Sequence, residues 1–297
     1  MSTTTPRLLV TGAGGQFGRR VVELLLDAGT TNLVAASRDT AKLADLVARG
    51  AEAVAADFND AASLDAAFAG IDRLLIVSTD ALGEPGLRLR QHQAAVAAAV
   101  RAGVSHIVYT SMPNPEPVSP IGFAPDHHQT ELALAASGVP HTILRNGWYM
   151  ENLVASLPHV LATGTWYTSA GTGRVAHVAR ADAARAAAAA LASATGTATH
   201  TITGPTAYTT DEIAAIASEV FDRPISVVQV TDEQLAGGLA AAGMPPFVVD
   251  LVVSFDANTR AGRIDVVTDV VEGLTGQAPQ TLAAFFAANR AAFLPEA

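Results

Sequence analysis

The sequence predicts an α/β fold, a doubly wound parallel sheet followed by a smaller α+β lobe. Three observations carry this reading. Short apolar runs alternate with helical patterns through the first half, a glycine closes each helical pattern, and the alternation stops after Tyr149. Continuous Val/Leu/Ile runs are expected of strands buried on both faces, as in a parallel sheet covered by helices.

Strands are expected at Arg7–Thr11, Asn32–Ser37, Ala51–Ala55, Arg73–Val77, Ser105–Thr110 and His141–Leu144. Helices fall between them near Gln16–Ala28, Ala41–Arg49, Ala61–Ala69, Leu87–Ala102 and Asp126–Ser137. Gly29, Gly50, Gly70, Gly103 and Gly138 stand just past these helices, where a left-handed C-cap needs no Cβ. Later, Pro158–Val178 reads as loop and short strands, followed by a helix at Asp182–Ser193 and a strand at His200–Thr203. Thr209 and Glu212 have the spacing of a capping box for a helix to about Phe221. A strand at Ile225–Val230 and helices near Asp232–Ala242, Pro246–Ser254 and Gln280–Phe293 complete the lobe.

Composition excludes several functions. With 49% hydrophobic residues in 297, the chain can bury a sizeable core. It has no cysteine, which removes disulfides, thiolate zinc sites and cysteine nucleophiles and fits a reducing cytoplasm. A net charge of −10 gives no footprint for nucleic acid or an anionic membrane. The apolar run at Arg7–Val10 is strand-length rather than a signal-peptide core, and no window approaches a membrane span. Lys42 is the only lysine, so any lysine-dependent chemistry must use it. The sequence does not fix an oligomeric state; a homodimer is compatible with it.

The stretch Thr11-Gly12-Ala13-Gly14-Gly15-Gln16-Phe17-Gly18 lies between the first strand and the first helix. In that context the pattern is the phosphate-binding turn of a Rossmann-type fold. Gly12 permits the tight turn, Gly15 lets the backbone approach a pyrophosphate, and Gly18 lets helix pack on strand. The helix N-terminus then faces the phosphates with its positive dipole end. The second strand ends Ala35-Ala36-Ser37-Arg38, where NAD enzymes usually carry an acidic residue for the ribose hydroxyls. An arginine there suits the 2′-phosphate of NADPH, with Lys42 as a second cation. Asp39 is expected to cap the next helix. Asp57 and Phe58, Ser78 and Thr79, and Thr110 and Ser111 follow the third, fourth and fifth strands. Each pair is a candidate contact to adenine, ribose or pyrophosphate, and nicotinamide respectively, or simple turn chemistry. This assigns residues 1–155 to an NADP(H)-binding domain and 156–297 to a substrate lobe.

The Tyr-x-x-x-Lys pair of many short-chain dehydrogenases is absent, since no tyrosine here is followed by lysine at the fourth position. The corresponding helix reads Asp126-His127-His128-Gln129-Thr130-Glu131. His127 and Glu131 have i, i+4 spacing, open to a surface pair or to a catalytic role. No metal site is expected, because adjacent His127 and His128 point to different faces and no third ligand follows at metal spacing.

The segment Arg145-Asn146-Gly147-Trp148-Tyr149 with Glu151-Asn152 is the most distinctive in the chain. With Gly12–Gly18, Arg38, Tyr109-Thr110-Ser111, the His127/Glu131 pair, Leu274-Thr275-Gly276 and Gln280-Thr281-Leu282, it resembles the NmrA-like, atypical branch of the short-chain dehydrogenase/reductase superfamily. Within that branch it is most similar to the flavin-independent NAD(P)H:quinone oxidoreductases of bacteria. The resemblance implies that Gly12, Gly15, Gln16, Phe17 and Gly18 hold the pyrophosphate and that Arg38 reads the 2′-phosphate. It places His127 near the nicotinamide, and Asn146, Gly147, Trp148 and Tyr149 beside nicotinamide and substrate.

These expectations combine into one reaction: hydride from NADPH to a quinone-like planar acceptor, without flavin or metal. A hydroquinone oxyanion is less basic than an alkoxide, so the missing Tyr/Lys acid is tolerable. Asn146 would donate to the acceptor oxygen, and His127, Tyr149 or water would supply the proton. Trp148, Phe123 and Phe247 are candidates for an apolar wall or for plain core. The rival reading is a regulatory NmrA-like protein that senses NADP(H) with little turnover. Reduction of an enone, imine or azo compound is a third.

Overall fold

The computed structural model describes residues 5–294. Its larger sheet has seven strands in the order β3-β2-β1-β4-β5-β6-β8. The strands are β1 (Leu8–Val10), β2 (Leu33–Ser37), β3 (Glu52–Ala55), β4 (Arg73–Ile76), β5 (His106–Ser111), β6 (His141–Asn146) and β8 (Ala198–Ile202). All pairs from β3 through β6 are parallel, with Leu9 of β1 opposite both Val34 of β2 and Leu74 of β4. Strand order therefore reverses beside β1, and a crevice at the strands' carboxyl ends follows from that reversal.

The connecting helices are α1 (Gln16–Asp27), α2 (Ala44–Ala48), α3 (Ala61–Phe68), α4 (Leu87–Ala102) and α5 (Ala124–Ala136). Their apolar sides bury Phe68, Ala95, Ala99 and Leu134 against Leu9, Val34, Leu74, Ile107 and Tyr109 of the sheet. The five glycines expected to end helices all have positive φ, from 68° at Gly70 to 107° at Gly50. The helix expected at Ala41–Arg49 begins as a 3-10 turn, Thr40–Leu43, capped by the Asp39 carboxylate through Ala41 N–H at 3.1 Å.

Two compact units form. The first comprises residues to Met112, Pro125–Arg145 and Ala183–Thr201; the second comprises Pro113–Ala124, Asn146–Asp182 and residues from Ile202. The division is thus not the single cut after residue 155 that element order suggests. Most of α7 (Arg180–Ser193) and β8 belongs with the large sheet, because β8 forms its edge. Arg73 on β4 also secures α7: its guanidinium donates to the carbonyls of Ala190, Leu191 and Ala194 at the helix C-terminus, where a cation is favoured.

The second unit contains α6 (Leu157–Thr163), β7 (Thr165–Thr168), α8 (Thr210–Phe221), β9 (Ser226–Gln229), α9 (Asp232–Ala241), α10 (Pro246–Arg260), α11 (Val270–Thr275), α12 (Leu282–Ala288) and α13 (Arg290–Phe293). β7 and β9 form a separate parallel pair. The core here is aromatic: Phe221, Phe285, Phe286 and Phe293 pack with Leu157, Leu161 and Leu282. The Thr209–Glu212 capping box forms. Three expectations need correcting. Leu157, Val160 and Leu161, with Pro158 in the first turn and Gly164 at the left-handed C-cap, make a helix where loop was expected. α10 runs on to Arg260 instead of ending at Ser254, and the final helix breaks at Asn289 into two.

Candidate functional site

A cavity of about 770 Å³ opens in the first unit beside β1, within the size range of small-molecule sites. The glycine turn forms its floor. Gly12 has φ +64°, a conformation that disfavours side chains. A Cβ at Gly18 would lie 2.5 Å from the Gly12 carbonyl oxygen, and one at Gly14 would lie 2.7 Å from Ser37 Oγ. A Cβ at Gly15 would meet only Gly12 O, at 3.4 Å. The turn is therefore closed against strand and helix at Gly18 and Gly14, and open at Gly15. The N-cap of α1 is Gly15, which makes no side-chain cap hydrogen bond to the first-turn N–H groups at the positive end of the helix.

Above the turn, Arg38 and Lys42 are exposed and line the cavity, and neither side chain makes an ion pair among the described residues. Arg19, by contrast, is held by Asp45 at 2.6 Å and by the Lys42 carbonyl. These two cations, one just past the end of β2 and one in the 3-10 turn that follows, near a helix N-terminus, suit a phosphate. Asp57, Phe58, Ser78 and Thr79 complete the wall, together with Gln91 from α4.

The cavity brings together Gly12, Gly15, Gln16, Phe17, Gly18, Arg38, Lys42, Asp57, Phe58, Ser78 and Thr79 of the predicted residues. Thr11, Thr110, Ser111 and His127 do not line it. Thr11 Oγ1 donates to Leu75 O at 3.0 Å and accepts from Val77 N at 2.9 Å, which ties the ends of β1 and β4 together. Thr110 Oγ1 accepts from Ser78 N at 2.8 Å and so shapes the wall from below.

His127 belongs to a buried network that grips the same wall. Thr79 N–H donates to His92 Nε2 at 3.0 Å, and Arg88 Nε donates to Thr79 O at 2.6 Å. Since Nε2 accepts, the His92 proton is on Nδ1, facing Thr130 Oγ1 at 3.1 Å. Arg88 Nη2 donates to His127 Nε2 at 2.8 Å, which leaves the His127 proton on Nδ1, 2.8 Å from Tyr109 Oη. Burial, reinforced by the Arg88 charge, holds His92 down to about 3 and His127 well below its ordinary value. Burial likewise pushes the Tyr109 phenol upward. His127 is 4% exposed and neutral, with its one proton turned to Tyr109. It does not pair with Glu131, which accepts from Ser111 Oγ at 2.6 Å and takes Arg145 through both carboxylate oxygens.

The remaining candidates lie in the second unit, where Asn146 Nδ2 donates to Tyr149 Oη at 3.1 Å. Gly147 is close-packed: its N–H donates to Ile202 O, and a Cβ would approach Ala176 O and Ile202 O to 3.1 Å. Trp148 meets Phe255 edge-on at 5.0 Å, and Phe255 meets Phe123 at 6.5 Å. Arg180 sits over the Tyr149 ring at 5.3 Å. Burial raises the Tyr149 phenol to about 12, so it stays protonated. Asn146 Oδ1 and Trp148 Nε1 are buried with no hydrogen-bond partner among the described residues. Phe247 is 70% exposed, which excludes it from the core.

The NmrA-like family profile matches residues 4–285. The chain belongs to the NmrA-like family. This NmrA-like chain is 34% identical over 278 residues to quinone oxidoreductase 2 of Escherichia coli (strain K12), spanning 93% of this chain and 96% of that protein. It is 30% identical to the NAD(P)H azoreductase of Xenophilus azovorans, across 96% and 99% of the two chains. The crystal structure of the Escherichia coli NADPH-dependent quinone oxidoreductase with NADPH superposes at TM-score 0.87, covering 93% and 97%. Triphenylmethane reductase of Citrobacter sp. with NADP(H) does so at 0.87 with 31% identity, covering 94% and 99%. Among the described residues no cluster of His, Cys, Asp or Glu could hold a metal, and no helix is long and apolar enough to cross a membrane.

The cavity-lining residues that sequence reading missed include Gly14, Ser37, Asp80 and Gln91. Gly14 and Ser37 were within reach of a glycine-loop argument. Gln91 was not, because nothing distinguishes one polar residue on a helix until the packing of α4 is known.

Proposed function

We propose that this protein is an NADPH-dependent oxidoreductase that passes hydride directly to a quinone or a similar planar conjugated acceptor, with neither flavin nor metal. The observation that carries the reading is the pair of cations, Arg38 and Lys42, without an ion-pair partner among the described residues, beside a glycine turn closed by Gly14 and Gly18. The relatives' quinone, azo and triphenylmethane reductase activities support a planar acceptor.

NADPH supplies the hydride when bound. The glycine turn and the α1 N-terminus hold the pyrophosphate, and Arg38 and Lys42 hold the 2′-phosphate. Thr79, fixed through both backbone groups by His92 and Arg88, keeps the wall in place. Thr110 and His127 act through that wall, as positioning residues. Asn146 and Tyr149 belong to the acceptor side. A tyrosine hydroxyl bonds either amide atom, so the Asn146 amide can offer its N–H to an acceptor oxygen. There it stabilises developing negative charge, as preorganised donors do. Tyr149, with its phenol pushed up by burial, orients that amide, and Trp148 borders the acceptor. With His127 neutral and directed at Tyr109, water supplies the proton.

The test is the loss of NADPH absorbance with a panel of quinones and azo compounds. Turnover is expected, and Asn146→Ala should abolish most of it while leaving cofactor affinity intact. Tight NADPH uptake with no turnover on any acceptor would instead identify a regulatory NADP(H) sensor.

A further inference from the structure

The donor on the acceptor side has little side-chain support of its own. Among the described residues the Asn146 amide makes a single hydrogen bond, from Nδ2 to Tyr149 Oη, and its Oδ1 makes none. The direction of the amide is therefore set mainly by its backbone. Asn146 is the last residue of β6. The register of β5 with β6 runs to the residue before it, where Ser111 stands opposite Arg145.

That last rung carries a buried lock. The Glu131 carboxylate, from α5, accepts from Ser111 Oγ at 2.6 Å and Arg145 Nε at 3.0 Å through Oε1, and from Arg145 Nη2 at 2.6 Å through Oε2. Glu131 is 8% exposed and Ser111 5%. One carboxylate thus joins two strand ends and a helix, and the two-oxygen grip fixes the plane of the guanidinium as well as its distance. A buried ion pair adds little net stability, because desolvation offsets most of the attraction, and its best-attested use is to specify register.

Successive side chains of a strand point to opposite faces. With Arg145 turned to α5, Asn146 is turned away from it. Any influence of Glu131 on the reaction therefore passes through the backbone of Arg145 and Asn146. A roll of the strand end that loosens the Arg145 grip swings the Asn146 amide with it, and a misplacement of about 1 Å can cost about 100-fold in rate.

We propose that Glu131 is a positioning residue for hydride transfer, acting through Arg145 to aim the Asn146 amide at the acceptor oxygen. The proposal rests on the donor role given to Asn146 above.

The test is a double-mutant cycle on kcat in the full chain. Glu131→Gln keeps the side-chain volume but sets an amide NH₂ against the Arg145 donors. It should lower kcat by about tenfold or more, with acceptor KM and NADPH affinity each within about twofold of native. The same change in an Asn146→Ala protein should lower the residual kcat by less than about twofold, because the group being aimed is gone. Equal losses in the two backgrounds overturn the proposal, since a general weakening of the fold acts whether or not Asn146 is present. So does native kcat in Glu131→Gln. If Glu131→Gln does not fold, Ser111→Ala removes one donor and leaves the ion pair. It should lower kcat by about twofold to fivefold, again only where Asn146 is present; native kcat, or a loss that persists in Asn146→Ala, overturns the proposal. An Asn146→Ala protein with native kcat would instead remove the donor role of Asn146 itself, and this inference with it.

Discussion

The cavity of the first unit and the Asn146–Tyr149 segment of the second are held by different means. In the first, position comes mainly from backbone: strand ends, a left-handed Gly12, and helix and strand drawn together at Gly18. In the second it comes from side chains packed on side chains. Trp148 rests on Phe255, Asn146 bonds Tyr149, and Arg180 covers the Tyr149 ring. A backbone-built site tolerates no added carbon at its closest contacts but accepts variation elsewhere. A side-chain-built site should fail more locally, with binding of the other ligand intact.

That contrast can be broken most sharply at Gly18. Gly18→Val puts a side chain where a Cβ alone is 2.5 Å from the Gly12 carbonyl, and NADPH affinity should fall by more than about 100-fold. Gly15→Ala, whose Cβ would meet only Gly12 O at 3.4 Å within the protein, should keep the native stability while weakening NADPH, because this glycine lets the backbone approach the pyrophosphate. Thermal unfolding of the two variants checks the difference, and equal losses of stability would contradict the packing argument. On the other side, Asn146→Ala should lower kcat by about 100-fold, the scale of removing one charge-stabilising donor, with NADPH affinity within about twofold of native. A matching loss of cofactor affinity would show that the two units do not divide the work this way.

The same division explains what was legible beforehand. Strand and helix positions of the first half could be read because buried parallel strands are continuous apolar runs and each helix ended in a glycine that proved left-handed. Glycine spacing marked the phosphate turn for the same reason, since backbone demands appear directly as residue types. The His127 network was not legible. Its i, i+4 partner Glu131 was taken from helix geometry, whereas the real partners, Arg88 and Tyr109, come from other elements. Likewise Phe123, Trp148 and Phe255 converge from distant parts of the chain. α6 was hidden because its apolar triad is short and begins beside Pro158.

A smaller effect is expected from pH. His92 has an ordinary value of 6.5 and is held at about 3 when folded. As pH falls below 6.5, the unfolded chain takes up a proton that the folded chain refuses, so stability declines. The slope is about 1.4 kcal/mol per pH unit until the folded value is reached, and it vanishes above 6.5. His92→Gln keeps an acceptor for Thr79 N–H without the titration. Denaturant unfolding at a series of pH values should give this variant a shallower acid slope by that amount. Identical slopes would mean that His92 does not stay neutral in the fold.

The central claim is that Arg38 and Lys42 form a seat for a phosphate on the adenosine ribose. Calorimetric titration of the native chain with NADPH and with NADH, at one ionic strength, tests it most directly. NADPH should bind at least about tenfold more tightly, with the margin lost in Arg38→Gln. Equal affinity for the two dinucleotides, or uptake of neither, would contradict it.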